Sequence, residues 1–156
     1  MSATLPYQGH FSGHQHLFAV RVYFEDTDFS GVVYHARYLH FMERARSDML
    51  ARAGIGQRAA HEAGEGAYAV TSMQLKFHRP AHFDDALLVT SMVEKVRGAS
   101  VNIRQIITRD GEVLLSAEVT AAFASPDGRA RRQPKTWVAA FQAIMDKQNI
   151  ETEGTA

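Results

Sequence analysis

Three acids, Glu25, Asp26 and Asp28, fall within four residues, followed by Gly31 and by a helical pattern that starts at His35. An acid ahead of a helix can cap it, because Asp is a favoured N-cap. Asp28, however, stands seven residues before His35, too far for a simple cap of a helix starting there. A loop of this kind can instead aim a carboxylate and the helix's free N–H groups at one point. Carboxylate plus oxyanion donors is the equipment of hydrolytic acyl transfer. On the residues alone, both readings stand.

The neighbouring elements must position this segment. Leu17 to Phe24 alternates, with Phe18, Val20, Val22 and Phe24 on one side, which predicts a strand. Residues 1–16 show no periodicity and are expected to form a flexible arm. From His35 to Ala53 the period changes, and Tyr38, Phe41, Met42, Ala45, Met49 and Ala53 share one helical stripe that Gly54 stops. The glycines at 54, 56, 64 and 66 mark irregular chain with one short helical turn. Four strands follow: Tyr68 to Arg79, Ala86 to Val96, Ala99 to Thr108 and Val113 to Phe123. Arg97-Gly98 and Asp110-Gly111 supply two of the reversals, the second being the strongest hairpin signal in the chain. Lys135 to Lys147 is helical, and residues 148–156 are expected to fray. Runs of strands beside a segregated helix define an α+β architecture. A curved antiparallel sheet wrapped around one long central helix, within a single domain over 17–147, is the economical arrangement. One helix covers one sheet face, so the outer face or an edge is expected to meet another subunit.

Composition removes several classes of function. The 156 residues contain no cysteine, which excludes disulfides, thiolate metal sites and a cysteine nucleophile. Lys+Arg 17 against Asp+Glu 17 gives zero net charge, so no nucleic-acid partner is expected. No apolar run approaches the ~18 residues of a membrane span, and Met1 to Val20 holds no Lys or Arg. Neither a transmembrane segment nor a signal peptide is expected, and a cytoplasmic location is the default. Gly54-Ile-Gly56-Gln-Arg-Ala59 and Gly64-Glu-Gly66-Ala-Tyr-Ala69 spell G-x-G-x-x-A, but neither lies between a strand and a following helix, as a dinucleotide site requires. His61-Glu62 lacks a second histidine four residues on. His10, His14 and His16 fall on the expected arm and read as a solvated tail. No metal and no cofactor are expected.

The run Tyr23-Phe-Glu-Asp-Thr-Asp28, Gly31-Val-Val-Tyr-His35-Ala, Tyr38-Leu, Phe41, Glu43 and Ala45-Arg46 closely resembles the hotdog-fold acyl-CoA thioesterases of the 4-hydroxybenzoyl-CoA thioesterase type. Within that family it looks most like the Tol–Pal-associated, YbgC-like branch of Gram-negative bacteria. The resemblance continues through Phe77-His-Arg-Pro80, Asp84-Asp85, Arg97-Gly98 and Pro134-Lys-x-Trp137, covering roughly residues 18–145. Phe29-Ser30 departs from the family's smaller residues, and the 1–16 stretch is longer than usual.

The resemblance implies that Asp28 is the essential carboxylate, as general base on water or as nucleophile. Backbone N–H groups around Tyr34 and His35 would polarise the thioester carbonyl, a task suited to the partial positive charge of a helix N-terminus. The His35 side chain would orient the substrate, hydrogen-bond Asp28, or simply fix the helix start, while the Tyr34 and Tyr38 rings read as packing. Arg97 would touch the phosphates of coenzyme A. Arg129, Arg131, Arg132 and Lys135, the densest basic cluster, are a second candidate for that role. The partners implied are an acyl-CoA, or an acyl carrier protein in its place, and further copies of the chain in a homodimer or homotetramer with the site at the interface. A reading from another class is a non-catalytic scaffold that binds acyl-CoA or acyl carrier protein for envelope or lipid-synthesis partners. A dehydratase needs a helix-borne acid paired with a histidine, and the sequence places no such pair.

Overall fold

Alternation in the strands and the 3.6-residue period of the long helix are satisfied together by one antiparallel sheet with a helix against its inner face. The computed structural model describes residues 4–154, with side chains up to residue 148. In chain order its elements are β1 (His10–Ser12), β2 (Gln15–Arg21), a 3₁₀ turn (Phe24–Asp26), α1 (Arg37–Arg52), α2 (Gln57–Glu62), β3 (Ala67–Phe77), β4 (Ala86–Val96), β5 (Ser100–Arg109), β6 (Glu112–Ala124) and α3 (Lys135–Gly154). Among the described residues the sheet order is β1-β2-β4-β5-β6-β3, with every neighbouring pair antiparallel. This is the α+β architecture that the patterning predicts.

The row Leu115, Ala117, Val119, Ala121 and Phe123 of β6 is buried. Leu115, Ala117 and Val119 share a core with Phe41, Met42 and Ala45 of α1, and Ala121 and Phe123 share one with Met49, Trp137 and Phe141. Each large side chain so buried contributes roughly 1.5–3 kcal/mol. Asp110 and Gly111 both take positive φ (49° and 81°), the geometry of a two-residue reversal between right-twisted strands. Gln105 pins α1 to mid-sheet by donating to the Met42 carbonyl (3.0 Å) and Ser91 Oγ (2.9 Å) while accepting from Arg46 (3.0 Å).

Several boundaries differ from the sequence expectation. The first long strand ends at Arg21, and Phe24 sits in the 3₁₀ turn, 84% exposed. The 1–16 stretch is not a structureless arm: His10–Ser12 pairs with the start of β2 and extends the sheet, while residues 1–3 lie outside the described residues. His16 is fully buried, not part of a solvated tail. Its Nε2 lies 2.7 Å from Asp48 Oδ2, which also accepts the Gly9 N–H at 3.0 Å. Helix α3 continues past Gln148 to Gly154.

Burial lowers the His16 pKa from its ordinary value, outweighing the hydrogen bond and charge of Asp48 that raise it. The folded chain therefore binds a proton at His16 less readily than the unfolded chain. Stability is expected to fall as pH drops below about 6.5, the unfolded histidine value, towards the lowered folded one. Urea titrations from pH 7.5 to pH 5 check this, and His16→Gln should flatten that part of the profile.

The residues singled out from the sequence fall at two ends of the sheet. Phe18, Val89, Ile107, Leu115 and Phe77 lie in one row near the end that carries the 22–36 and 78–85 loops. Ala67, Ala124 and the Arg97-Gly98 reversal lie at the other. The 11 residues of β3 separate these ends by roughly 33 Å at about 3.3 Å per residue.

Candidate active site

The strand-end loop is a miniature hairpin. Asp28 N–H donates to the Val32 carbonyl (2.9 Å), Gly31 N–H to the Asp28 carbonyl (3.0 Å), and Thr27 bridges Val33. Gly31 takes φ 85°, which a residue with a Cβ adopts only at a cost. The returning leg is anchored to the 78–85 loop: Val33 N–H donates to the Ala81 carbonyl (2.8 Å) and Val32 bridges His82. Ala81 N–H in turn donates to the buried Tyr38 hydroxyl (2.9 Å). Tyr38, read from the sequence as packing, therefore also ties the first turn of α1 to the loop.

At the tip, Asp28 is exposed, and its Oδ1 accepts the Ser30 N–H (2.8 Å) and the Ser30 hydroxyl. The Ser30 hydroxyl, then its N–H, hold the Asp28 carboxyl below the ordinary carboxylate range, so it is ionised at neutral pH. Ser30, noted from the sequence only as a departure from the family, is thus the residue that holds the Asp28 side chain.

The helix begins at Arg37, not His35, with Ala36 as its N-cap and no side-chain cap. This corrects the expected donor set. Tyr34 N–H is taken by the Asp26 carbonyl (2.9 Å) and is not free. The N–H groups of His35 and Ala36 meet no acceptor among the described residues, which places them among the free donors at the positive end of α1. The His35 ring packs against Tyr34, centroids 4.5 Å apart, and makes no hydrogen bond to Asp28. Beside them lies a cavity of about 300 Å³ whose walls include Val33, Tyr38, Phe77 and Pro80, with His35, His78 and Arg79 at its polar side.

The basic residues gather elsewhere. Gln133 draws their segment to the β4–β5 reversal: its Nε2 donates to the carbonyls of Arg97 (2.7 Å) and Ser100 (3.1 Å). Arg131 donates to the Glu65 carbonyl (2.6 Å), and Arg129 lies 3.6 Å from Asp127. Arg97, Arg129, Arg131 and Arg132 thus share the end of the sheet opposite Asp28. The segments that carry the four arginines lie at one end of the sheet and the carboxylate at the other. The strand at the sheet's edge, β3, has no buried residue and no strand paired to its outer side among the described residues.

An antiparallel sheet holding a central helix, with an acid-bearing loop at the helix start, defines the hotdog class of fold. The thioesterase superfamily model matches residues 30–116. The chain is 42% identical over 105 residues to the acyl-CoA thioesterase YbgC of Haemophilus influenzae, covering 67% of this chain and 77% of that protein. It is 39% identical over 125 residues to the acyl-CoA thioester hydrolase YbgC of Escherichia coli O6:H1, covering 79% and 92%. The crystal structure of a probable thioesterase from Bartonella henselae matches with a TM-score of 0.74 at 39% identity, over 77% of this chain and 99% of that one. This chain belongs to the thioesterase superfamily and is a thioester hydrolase.

Proposed function

We propose that the protein hydrolyses acyl-CoA to a free carboxylic acid and coenzyme A. One observation carries the reading: an ionised Asp28 and the unpaired N–H groups of His35 and Ala36 sit on one short loop anchored at both legs. Asp28 either takes a proton from water as that water attacks the carbonyl carbon or attacks that carbon itself. In both routes negative charge grows on the carbonyl oxygen, where the free N–H groups accept it. The C–S bond then breaks as the thiolate leaves, giving the acid directly in the first route and, in the second, an anhydride that water opens. A thiol with a pKa of about 8.5 departs without a strong general acid, so no Ser-His-Asp set is needed. The relatives named as acyl-CoA thioesterases support coenzyme A as the carried group, and a coenzyme A substrate fits a cytoplasmic location. A pure binding scaffold gains nothing from a carboxylate beside an anionic ligand.

Two copies joined along β3 about a two-fold axis support the rest of the site. Antiparallel pairing of this edge sets the Ala67 end of one copy beside the Phe77 end of the other. Arg97, Arg129, Arg131 and Arg132 of one copy then meet the phosphates of a coenzyme A whose thioester lies at Asp28 of the second. Thiol release from a panel of acyl-CoAs tests the activity, and mixing inactive variants tests the shared site. Asp28→Asn and the double variant Arg97→Ala/Arg132→Ala should each be poor alone at low acyl-CoA. Re-associated together, they should regain turnover, because one site of each mixed dimer is whole. A wild-type protein that releases no thiol overturns the activity; mixed variants that stay inactive overturn the shared site.

A further inference from the structure

We propose that the Asp26–Arg37 ion pair is a positioning device for the reaction, fixing the start of α1 against the strand-end loop and so setting the spacing of the Asp28 carboxylate from the His35 N–H. The inference rests on the thioesterase reading above and adds two residues to it.

Asp26 lies two residues before Asp28, and Arg37 lies two residues after His35. Arg37 donates through Nε (2.9 Å) and Nη2 (2.8 Å) to the same Asp26 Oδ1. The other carboxylate oxygen accepts the Tyr23 N–H (2.8 Å), and the Asp26 carbonyl accepts the Tyr34 N–H (2.9 Å). One residue thus grips the end of the incoming chain, the returning leg and the helix start. The Asp26 side chain is 5% exposed and that of Arg37 25%. Removing one member of such a pair leaves a buried charge unpaired, so the contact resists small shifts of the helix start. That matters because a misplacement of about 1 Å costs a reaction of this kind on the order of 100-fold.

The pair also keeps the charge of Asp26 compensated beside the loop. Asp26 is a second carboxylate next to the reacting one, and Arg37 neutralises it. The other ionisable groups facing this region are Glu25, 3.7 Å from Arg37 Nη2, His35, whose charge favours ionised Asp28, His78 and Arg79 beside His35 at the cavity, and His82 on the segment bridged to Val32, with Asp85 3.9 Å from it. With Gln in place of Arg37, the uncompensated charge of Asp26 opposes ionisation of a neighbouring carboxyl.

The test compares wild type, Arg37→Gln, Arg37→Lys and Asp26→Asn/Arg37→Gln in steady-state kinetics on one acyl-CoA across pH, with melting curves alongside. Arg37→Gln should lower kcat by about 10- to 100-fold with KM nearly unchanged, and move the acid limb of kcat/KM to higher pH. Arg37→Lys should keep part of kcat. The double variant should keep the low kcat but return the acid limb towards wild type, since the unpaired carboxylate is gone. Wild-type kcat in folded Arg37→Gln overturns the inference, as does an acid limb that moves in none of the variants. If Arg37→Gln does not fold, Arg37→Lys decides: kcat equal to wild type overturns it. A wild-type protein that releases no thiol defeats the thioesterase reading instead, so the two failures are distinct.

Discussion

Asp28→Asn is expected to lower kcat for acyl-CoA hydrolysis by about a thousandfold, the usual worth of a positioned base or nucleophile. Asn keeps the shape of the side chain and can still accept the Ser30 N–H and hydroxyl. It removes only the negative charge. Because Asp28 is exposed and its side-chain contacts are local, the melting temperature should hardly change, a surface substitution usually staying within about 0.5 kcal/mol. Binding of the thioester should persist for the same reason. Single-turnover thiol release together with equilibrium binding of the intact substrate separates these effects. A variant that turns over like wild type would show that the carboxylate plays no part in the chemistry.

The second large effect is on stability. Phe123→Ala should cost about 3–5 kcal/mol, a large share of the roughly 5–15 kcal/mol that holds a typical domain together. Phe123 is 1% exposed and meets Tyr68 and Trp137 edge-on, at centroid distances of 5.5 and 5.4 Å. It therefore joins the β3–β6 end of the sheet to the first turn of α3. Truncation leaves a cavity between two rigid elements that close on it poorly. Urea denaturation should show a lower midpoint at unchanged slope. Phe123 sits at the sheet end opposite Asp28, so kcat of the folded fraction should stay near wild type.

The sequence read well wherever one residue's surroundings repeat along an element. Strand Ala86–Val96 and the stripe Phe41, Met42, Ala45, Met49 match the structure because burial on one face imposes a period. Asp110-Gly111 was legible because a tight reversal needs positive φ at both positions. The His10–Ser12 strand was not, since three residues carry no period; the one signal available was Gly13, whose φ of 61° turns the two-residue Gly13-His14 loop into β2. The start of α1 was placed two residues early because Tyr34 to Ala36 are held by Asp26 and a turn rather than by helical bonds, a tertiary effect.

Within the candidate site, the acid run ahead of the helix was visible from spacing and the roles proposed for Asp28 and His35 rest on resemblance, while the bond that occupies the Tyr34 N–H was not visible. Asp26 was visible as a member of an acid run but not as the residue that holds the loop. Its partner Arg37 lies 11 positions away and declares itself only in three dimensions. The position of the four arginines at the far end of the sheet follows from strand register, which one-dimensional patterns do not reveal.

The most direct measurement is a crystal structure of Asp28→Asn soaked with an intact acyl-CoA. The thioester oxygen should lie about 2.7–3.1 Å from the His35 main-chain nitrogen, with the residue-28 side chain across the carbonyl carbon from it. A well-ordered thioester bound away from that nitrogen, with residue 28 facing solvent, contradicts the account.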